Sequence, residues 1–451
     1  MQKDKTVLAD HAFQFKRPHK GVAVPAGRLT RLSRFGSLAT SIAGGMMIDG
    51  VRRLAEGQRP TLNDLLMTPA NAIKVTHQLS QLRGAAMKAG QLMSMDAGAL
   101  LPAELTDILA RLRAEAHHMP HTQLHSELRH HWGRDWQRRF KSFTTTPVAA
   151  ASIGQVHRAV THDGRDLAIK IQYPGVRHSI DSDVDNVASL MRMSGMLPAT
   201  LNIEPLLREA KQQLHEEADY GREALYLKRF GELLSTSPQF AVPAVHEDLT
   251  TPGVLAMSFV EGVPVDRLIN APQHERNQIM TSLIELVLRE LFEFEVMQTD
   301  PNFANYHFNR TKNQLVLLDF GATKSLSPAI AQNYRRLLKA GLANDTSNSR
   351  QAAMNLGFFD ERTPPKHQAT VMSMFEMAME ALRFDGAFDF GSTDIVARLR
   401  DAGLTIAADR DFWHAPPTDT LLVQRKIGGM FLLASRLKAQ VNIRQLLAKH
   451  V

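Results

Sequence analysis

The segment QTDPNFAN, residues 298–305, decides the fold together with LVLLDFG, residues 315–321. In the first segment Asp300 stands five residues before Asn305, so one loop carries a carboxylate and an amide. In the second, an apolar run typical of a buried strand leads into a turn that begins at Asp319. Two carboxylates and an amide therefore follow one another in a fixed order within one part of the chain.

A lysine precedes these segments at the end of another apolar run. Residues 167–169 are Leu-Ala-Ile, and Lys170 follows them. Taken alone, such a lysine is usually the solvated end of a strand. Phosphoryl transfer from ATP, however, requires a cation on the phosphates, a carboxylate near the acceptor, and an amide and a second carboxylate on metal. Protein kinases present these groups in the same order and with the same spacing from aspartate to asparagine, so the pattern indicates a kinase-like site.

The glycine-rich loop of kinases should precede the lysine strand, and its place is taken here by PVAAASIGQV, residues 147–156. Ala149, Ala150 and Ala151 stand where glycines are expected. Glycine allows a positive φ angle and a close approach of the backbone to phosphates, and alanine restricts both. By itself an alanine-rich run would be a tight packing loop, but its position before Lys170 favours a role in nucleotide binding.

Composition limits the other possibilities. The chain has 451 residues, of which 44% are hydrophobic and 22% charged, and these values exclude a disordered or fibrous protein. Cysteine is absent, which excludes disulfides, thiolate zinc sites, iron–sulfur clusters and a cysteine nucleophile. No apolar stretch reaches the roughly 18 residues that a membrane-spanning helix needs. The sequence therefore predicts a soluble protein of enzyme size in a reducing compartment.

The net charge of +7 is concentrated near the N-terminus. Residues 1–60 hold 11 Lys and Arg against 4 Asp and Glu, a balance of +7, so the rest of the chain is neutral. This distribution argues against a nucleic-acid partner, for which basic residues more often spread over the whole body. From Leu29 to Met46, apolar residues recur every three or four positions beside arginines, which is typical of an amphipathic helix on an anionic membrane surface. The alternative is a helix that docks on the protein's own body.

The first residues also bear on the compartment. No secretory signal is expected, because the first charged cluster is not followed by an apolar core. Asp4 and Asp10 argue against a mitochondrial transit peptide. We therefore expect a cytoplasmic protein, attached peripherally to the inner face of the cytoplasmic membrane where it meets lipid.

The periodicity of the chain predicts an α+β fold with a two-lobed middle. Helices are predicted over residues 121–143 and 204–234, and after Pro264 the chain is predicted to be helical again. Short apolar runs bounded by turn residues predict strands, at residues 156–160, 167–172, 254–259 and 315–319.

Several motifs together resemble the UbiB family of atypical protein-kinase-like proteins, and above all its ubiquinone-biosynthesis branch. They are the triple-alanine loop, KAGQ at 88–91, EAD at 217–219, QTDPNFAN at 298–305 and RKIGG at 425–429. The resemblance implies a protein-kinase-like two-lobed fold with a helical N-terminal extension packed over the active site. It also implies binding of ATP with Mg²⁺ and a role supporting ubiquinone biosynthesis, with a quinone-precursor lipid or ubiquinone-biosynthesis proteins as partners.

On this resemblance the chain divides into four parts. They are an irregular basic N-terminus (1–27), a helical extension that carries the KAGQ motif (28–143), a kinase-like N-lobe with a helical insertion (144–262) and a helical C-lobe (263–451).

The resemblance also implies a role for each site residue. Lys170 contacts the phosphates, Glu223 is its ion-pair partner, and Asp300 is the catalytic-loop carboxylate. The other predicted site residues are Asn305 and Asp319 as metal ligands, Lys88 and Gln91 in the catalytic cleft, Ala149, Ala150, Ala151 and Ser152 in the nucleotide loop, Met257, Ser258, Phe259 and Val260 in the hinge, and Glu217 and Asp219 at the nucleotide. Without the resemblance, the last two would be ordinary surface acids, and the KAGQ motif would be a solvated helix face.

Two other functions stay open on the sequence. A Ser/Thr protein kinase would need an open peptide groove, which the extension carrying Lys88 is expected to fill. A nucleotide-gated lipid-binding or scaffold protein without turnover is the second, and the full set of Lys170, Asp300, Asn305 and Asp319 argues against it. The sequence leaves the phosphoryl acceptor and the oligomeric state open.

Overall fold

The structure is a computed structural model, and it describes residues 118–151, 153–193, 204–407 and 416–451. The predicted amphipathic helix, Lys88 and Gln91 of the N-terminal extension, and Ser152 of the alanine loop lie outside the described residues. Within the described ranges the chain builds two hydrophobic cores, one mainly beneath an antiparallel sheet and the other mainly among helices. The predicted α+β class is confirmed.

The first core forms on an antiparallel sheet with the order β1-β3-β4-β6, and β2 shares with β1 one edge of β3. The strands in this half of the chain are β1 Phe140–Phe143, β2 Ala149–Ala151, β3 Gly154–Thr161, β4 Asp166–Gln172, β5 Phe240–Ala241 and β6 Val254–Ser258. The turn between β3 and β4 contains Gly164, whose φ of 86° is the left-handed value that such hairpin turns require. The predicted strands at 156–160, 167–172 and 254–259 are thus confirmed to within a few residues.

Four helices cover this sheet or follow it. They are α1 His121–Trp132, α2 Val176–Met193, α3 Glu204–Glu217 and α4 Tyr220–Leu233. The predicted single helix over 204–234 is wrong at one point, because the chain breaks between α3 and α4. Asp219 accepts hydrogen bonds from the backbone N–H groups of Gly221 and Arg222, both at 3.1 Å, and so caps the start of α4.

The predicted helix over 121–143 is also wrong in its second half. Helix α1 ends at Trp132, before Gly133 with a φ of 87°, and Phe140–Phe143 pairs with β3 as a strand. The reason is tertiary, since Phe140 lies 5.2 Å from the ring of Trp132 and Phe143 lies 5.0 Å from that of Trp136. Burial of these four rings against the sheet outweighs the local preference for helix.

The second core lies among the helices of the C-terminal half. Its helices are α5 Gln273–Arg289, α6 Pro328–Leu342, α7 Thr346–Asn355, α8 Pro365–Arg383, α9 Ile395–Ala407, α10 Thr418–Leu437 and α11 Ile443–Leu447, and a π-helical turn at Glu290–Phe294 continues α5. None of the helices in the described ranges combines the length and apolar character needed to cross a bilayer.

This half contains more strand than the sequence predicted. Its strands are β7 Val263–Pro264, β8 Val296–Gln298, β9 Tyr306–Asn309, β10 Gln314–Leu317, β11 Thr323–Ser325, β12 Phe388–Asp389 and β13 Gln440–Val441. Strand β10 confirms the prediction at 315–319 and lies between β5 and β9, while β8 pairs with β11. The others are two to four residues long and lack an uninterrupted apolar run like residues 315–318 at β10, so the sequence contains no signal for them.

Candidate active site

Lys170 lies at the centre of a buried cluster of charges between the two cores. It is on β4, and its Nζ donates to both carboxylate oxygens of Glu223 on α4, at 2.8 and 2.9 Å. The same Nζ lies 3.1 Å from Oδ2 of Asp319, which follows β10. The side chains of Lys170 and Glu223 are 5% and 1% exposed, whereas that of Asp319 is 26% exposed. The predicted lysine–glutamate pair therefore forms, and Asp319 is its partly open edge.

With Lys170, Glu223 and Asp319 all ionised, the cluster holds one more negative charge than positive. Burial opposes the charge of Lys170, but the carboxylates of Asp319 and Glu223 outweigh it and hold the pKa of the lysine well above its usual range. Burial raises the pKa of Glu223 to about 7, and Lys170 opposes that rise. The lysine is thus a permanent cation with two acidic neighbours, an arrangement that a divalent cation or a second positive group would balance.

Side chains of α4 hold the turn that contains Asp319 in place. Gly321 donates its N–H to Oδ1 of Asp319 at 3.0 Å, and the guanidinium of Arg222 donates to the carbonyl of Gly321 at 2.9 Å and to that of Thr323. Phe320 is buried, 4.8 Å from the ring of Phe230 on α4. No motif in the sequence predicts this role for Arg222, although its position directly before Glu223 is a usable signal.

The loop from Thr299 to Asn305, the Asp300 loop, lies beside this turn. Oδ1 of Asp300 accepts the N–H of Asn302 at 3.1 Å, and Asn302 in turn caps the 3-10 turn Phe303–Asn305. The backbone carbonyl of Asn305 accepts the N–H of Leu318 at 3.1 Å, next to Asp319. The structure therefore ties together the segments of the two predicted metal ligands.

The residues present fit Mg²⁺. A carboxylate and an amide supply the oxygen ligands that this ion prefers, and Mg²⁺ usually completes its shell with water and substrate phosphates. Asn305 is buried, and its Nδ2 has no hydrogen-bond partner among the described residues, so no network within them holds both ends of the amide. Among the described residues no cluster of three His, Cys, Asp or Glu could hold a metal by itself.

The alanine loop is a hairpin rather than an irregular loop. Ala149, Ala150 and Ala151 pair with Val156, Gln155 and Gly154, and in the next register Val156 lies opposite Lys170. A side chain at Gly154 would overlap the carbonyl of Ile171 and approach the hydroxyl of Tyr220 to 2.8 Å, so this position requires glycine. The hairpin thus lies one strand away from the lysine, as a nucleotide loop should.

The EAD motif lies at the junction of α3 and α4. Glu217 is buried, and its Cγ would be 3.4 Å from a side chain placed at Gly321, so it lies against the turn that contains Asp319. Asp219 has the capping contacts described above, and these give it a structural reason to be acidic. The structure therefore brings Glu217 to the site and places Asp219 at the helix end beside it.

The predicted hinge, Met257 to Val260, connects β6 to the C-terminal half. The N–H of Ser258 donates to the carbonyl of Ala244 at 2.8 Å, and the N–H of Phe259 donates to that of Asp166 at 2.9 Å. The protein itself thus uses these two donors. The role of this segment in holding adenine stays a prediction.

Comparison with known proteins finds the same kind of domain. A family model for the ABC1 atypical kinase-like domain matches residues 111–353. Atypical kinase COQ8, mitochondrial, of Saccharomyces cerevisiae is 34% identical over 448 residues, which cover 98% of this chain and 88% of that protein. Atypical kinase COQ8B, mitochondrial, of Rattus norvegicus is 38% identical over 434 residues, which cover 94% and 80%.

A solved structure supports the fold. The complex of Rv3197 with erythromycin, from Mycobacterium tuberculosis, matches with a TM-score of 0.60 and 24% identity, and the match covers 85% of this chain and 96% of that one.

Proposed function

Because the chain belongs to the ABC1 atypical kinase-like family, we propose that it binds ATP with Mg²⁺ and hydrolyses it or transfers its γ-phosphoryl group to a small molecule or lipid. Family membership confirms the predicted UbiB resemblance and the protein-kinase-like α+β fold. We further propose that this activity supports ubiquinone biosynthesis, which the resemblance to that branch of the family implies.

The observation that supports the proposal most is the contact of Lys170 with both Glu223 and Asp319. This arrangement fixes a cation where phosphates would lie and leaves one carboxylate open for metal. Asp319 and Asn305 would hold Mg²⁺, which when bound neutralises charge on the phosphates. Asp300, on the adjacent loop, would orient the acceptor hydroxyl or a water molecule.

The test is ADP release by the purified full-length protein. We expect MgATP turnover that rises with anionic vesicles and a phenol that mimics a quinone precursor, and that is lost in Asp300→Asn while nucleotide binding persists. Turnover that is equal in Asp300→Asn and wild type would contradict the proposal. Nucleotide binding without turnover in any condition would instead favour the non-catalytic scaffold.

The partner surface is a second part of the proposal. The charge of residues 1–60 and the apolar period beginning at Leu29 support attachment to an anionic membrane. The relatives are named as mitochondrial proteins, and for this chain we propose the inner face of the cytoplasmic membrane. Deletion of residues 1–50 should abolish cosedimentation with anionic vesicles at low salt and leave MgATP binding unchanged. Equal vesicle binding by both proteins would make the segment a packing element.

A protein substrate is the competing outcome. If the wild-type protein phosphorylates generic protein substrates well above background, and Asp319→Asn abolishes this, the Ser/Thr protein kinase becomes the better description. We expect incorporation of labelled phosphate into protein to remain near background.

A further inference from the structure

A second lysine is buried beneath the Asp300 loop. Lys426, in the middle of α10, is 1% exposed, and it belongs to the RKIGG motif that the proposed mechanism does not use. Its Nζ donates to the backbone carbonyl of Gln298 at 2.7 Å, to the Oε1 of Gln298 at 3.1 Å and to the hydroxyl of Tyr306 at 2.7 Å. Glu290, also 1% exposed, lies 3.4 Å away as its counter-ion.

Stability alone gives little reason for a lysine at this position. Taking two charges out of water costs free energy that their attraction often fails to recover, and well-packed apolar side chains of similar volume usually stabilise a core at least as well. Burial opposes the charge of Lys426, but Glu290 and Tyr306 keep its pKa above the usual lysine value. A cation with three oxygen acceptors in fixed positions is suited to holding those acceptors in place.

The group it holds is the residue that leads into the Asp300 loop. Gln298 ends β8, two residues before Asp300. Besides the contacts with Lys426, its N–H donates to Oε1 of Glu290 at 3.3 Å, and its Oε1 accepts from the hydroxyl of Tyr306 at 3.2 Å. Glu290 reaches this position at the start of the π-helical turn, a local irregularity that is frequent at functional sites.

The same helix contacts the other side of Asp300. A Cβ atom at Gly429, three residues after Lys426, would overlap Cβ of Pro301, so α10 packs directly against the residue that follows Asp300. On the third side, both the N–H and the hydroxyl of Thr299 donate to the carbonyl of Ala322, at 3.1 and 2.7 Å, in the turn that follows Asp319. The backbone on both sides of Asp300 is thus fastened, and α10 supplies two of the contacts.

We propose that Lys426 is a positioning residue that fixes the Asp300 loop through Gln298 and thereby sets the place of the Asp300 carboxylate. It touches no substrate and acts through the loop alone. The inference rests on the proposed function for its effect on turnover, whereas its effect on the loop is independent of that function.

The test uses Lys426→Met in the full-length protein, with Thr420→Val as the matched control. Thr420 is a fully buried polar residue in the first turn of the same helix, and its hydroxyl donates to the carbonyl of Leu356 at 2.7 Å. Three quantities are measured: MgATP affinity, kcat, and hydrogen exchange of the segment 296–305 by mass spectrometry. In Lys426→Met we expect kcat to fall about 10-fold or more while MgATP affinity changes less than about 2-fold, because a misplaced catalytic group reduces rate rather than binding.

Amide exchange in segment 296–305 should be faster in Lys426→Met and unchanged in Thr420→Val. The single variant leaves Glu290 without its counter-ion, so the double variant Lys426→Met, Glu290→Gln is measured beside it. If the single variant does not fold, the double variant takes its place, and its segment 296–305 should exchange faster than that of the wild type. Lys426→Arg should restore part of kcat.

Unchanged loop exchange in a folded Lys426 variant would overturn the proposal, as would an equal loss of kcat in Thr420→Val at a matched melting temperature. If the wild-type protein releases no ADP, the proposed function fails, and the exchange measurement still decides whether Lys426 positions the loop.

Discussion

The described part of the chain contains two buried lysine–glutamate pairs, which differ in what surrounds them. Lys170 and Glu223 lie between the two cores, where a second carboxylate, Asp319, is partly exposed. Lys426 and Glu290 lie beneath the Asp300 loop, where the other acceptors of the lysine belong to the uncharged residues Gln298 and Tyr306. Both lysines have pKa values above the usual range despite their burial.

The difference lies in the charge balance of each cluster. The Lys170 cluster has two carboxylates and one ammonium, so it suits an added cation such as Mg²⁺ at its open edge. The Lys426 cluster has one carboxylate and one ammonium, both buried, so its net charge is zero and it needs no added cation. Its lysine instead holds the backbone at Gln298. A buried lysine is therefore better interpreted from the sum of the charges around it than from its burial alone.

The largest expected effect is on nucleotide binding and turnover, when the Lys170 cluster loses a charge. Lys170→Met and Asp319→Asn should each weaken MgATP binding or turnover about 100-fold or more, because each removes a charge that would act directly on phosphate or metal in a site with little water. A titration with MgATP, followed by thermal shift and by ADP release, measures this. Lys228→Met is the control, since Lys228 lies on the same helix as Glu223 but is half-exposed and pairs with the exposed Glu247, outside the cluster. Unchanged MgATP stabilisation in both site variants would remove the kinase-like assignment of the cluster.

Substitutions at two adjacent glycines of α10 test the packing of this helix against the Asp300 loop without altering the charges of the Lys426 cluster. Gly429→Ala should lower kcat about 10-fold and destabilise the protein by about 1–3 kcal/mol, because its methyl group would overlap Pro301. Gly428→Ala is the matched control: apart from its chain neighbours and the backbone of its own helix, no atom of the described residues lies within 4 Å of its new methyl group, and alanine should stabilise α10 by about 1 kcal/mol. Melting temperatures and turnover are measured for both. Equal behaviour of the two variants would show that the contact with Pro301 has no functional weight.

A single substitution should give the Lys170 cluster the same net charge as the Lys426 cluster. Glu223→Gln leaves Lys170 with Asp319 as its carboxylate partner, so the lysine and Mg²⁺ then compete for one group. We expect the Mg²⁺ concentration for half-maximal nucleotide binding to rise about 5-fold. Mg²⁺ titrations at fixed nucleotide concentration measure the change, and Glu232→Gln, exposed on the same helix, is the control. A lower Mg²⁺ requirement would contradict the charge-balance interpretation.

The smallest effect concerns a buried polar group without an ionic partner. His157 on β3 is fully buried, its Nδ1 contacts the carbonyl of Thr144 at 2.8 Å, and its Nε2 contacts Nε2 of Gln155 at 2.8 Å. The second contact requires Nε2 to be the acceptor, so the ring is neutral and its Nδ1–H donates. Burial lowers its pKa from 6.5 to about 4, although the bond to Thr144 opposes this.

Because the unfolded chain binds this proton more readily than the folded one, stability falls as pH drops from 6.5 toward 4 and then levels off. Between pH 8 and pH 6 the wild-type protein should lose about 1 kcal/mol more stability than His157→Gln, as measured by urea unfolding at both pH values. Parallel pH profiles for the two proteins would mean that His157 does not stay neutral in the fold.

The sequence by itself predicted which residues form the candidate nucleotide site. Lys170, Asp300, Asn305 and Asp319 were identified because a given chemistry needs those side chains in that order, and β3, β4, β6 and β10 because their apolar runs are long enough to recognise. The roles of these residues in binding and catalysis stay predictions. Lys88 and Gln91 lie outside the described residues and add nothing to this comparison.

Only the tertiary structure decided which distant groups meet. Local pattern favoured helix over 140–143, yet four aromatic rings make it a strand, and a polar residue within a long helical pattern, Asp219, ends one helix and begins the next. Lys426 stands in the sequence as one more cation on an amphipathic helix, and its partner Gln298 is 128 residues away. Periodicity specifies which face of a helix is buried, but the atoms that the face meets depend on how the whole chain packs, and those atoms set the charge balance that separates the two lysines.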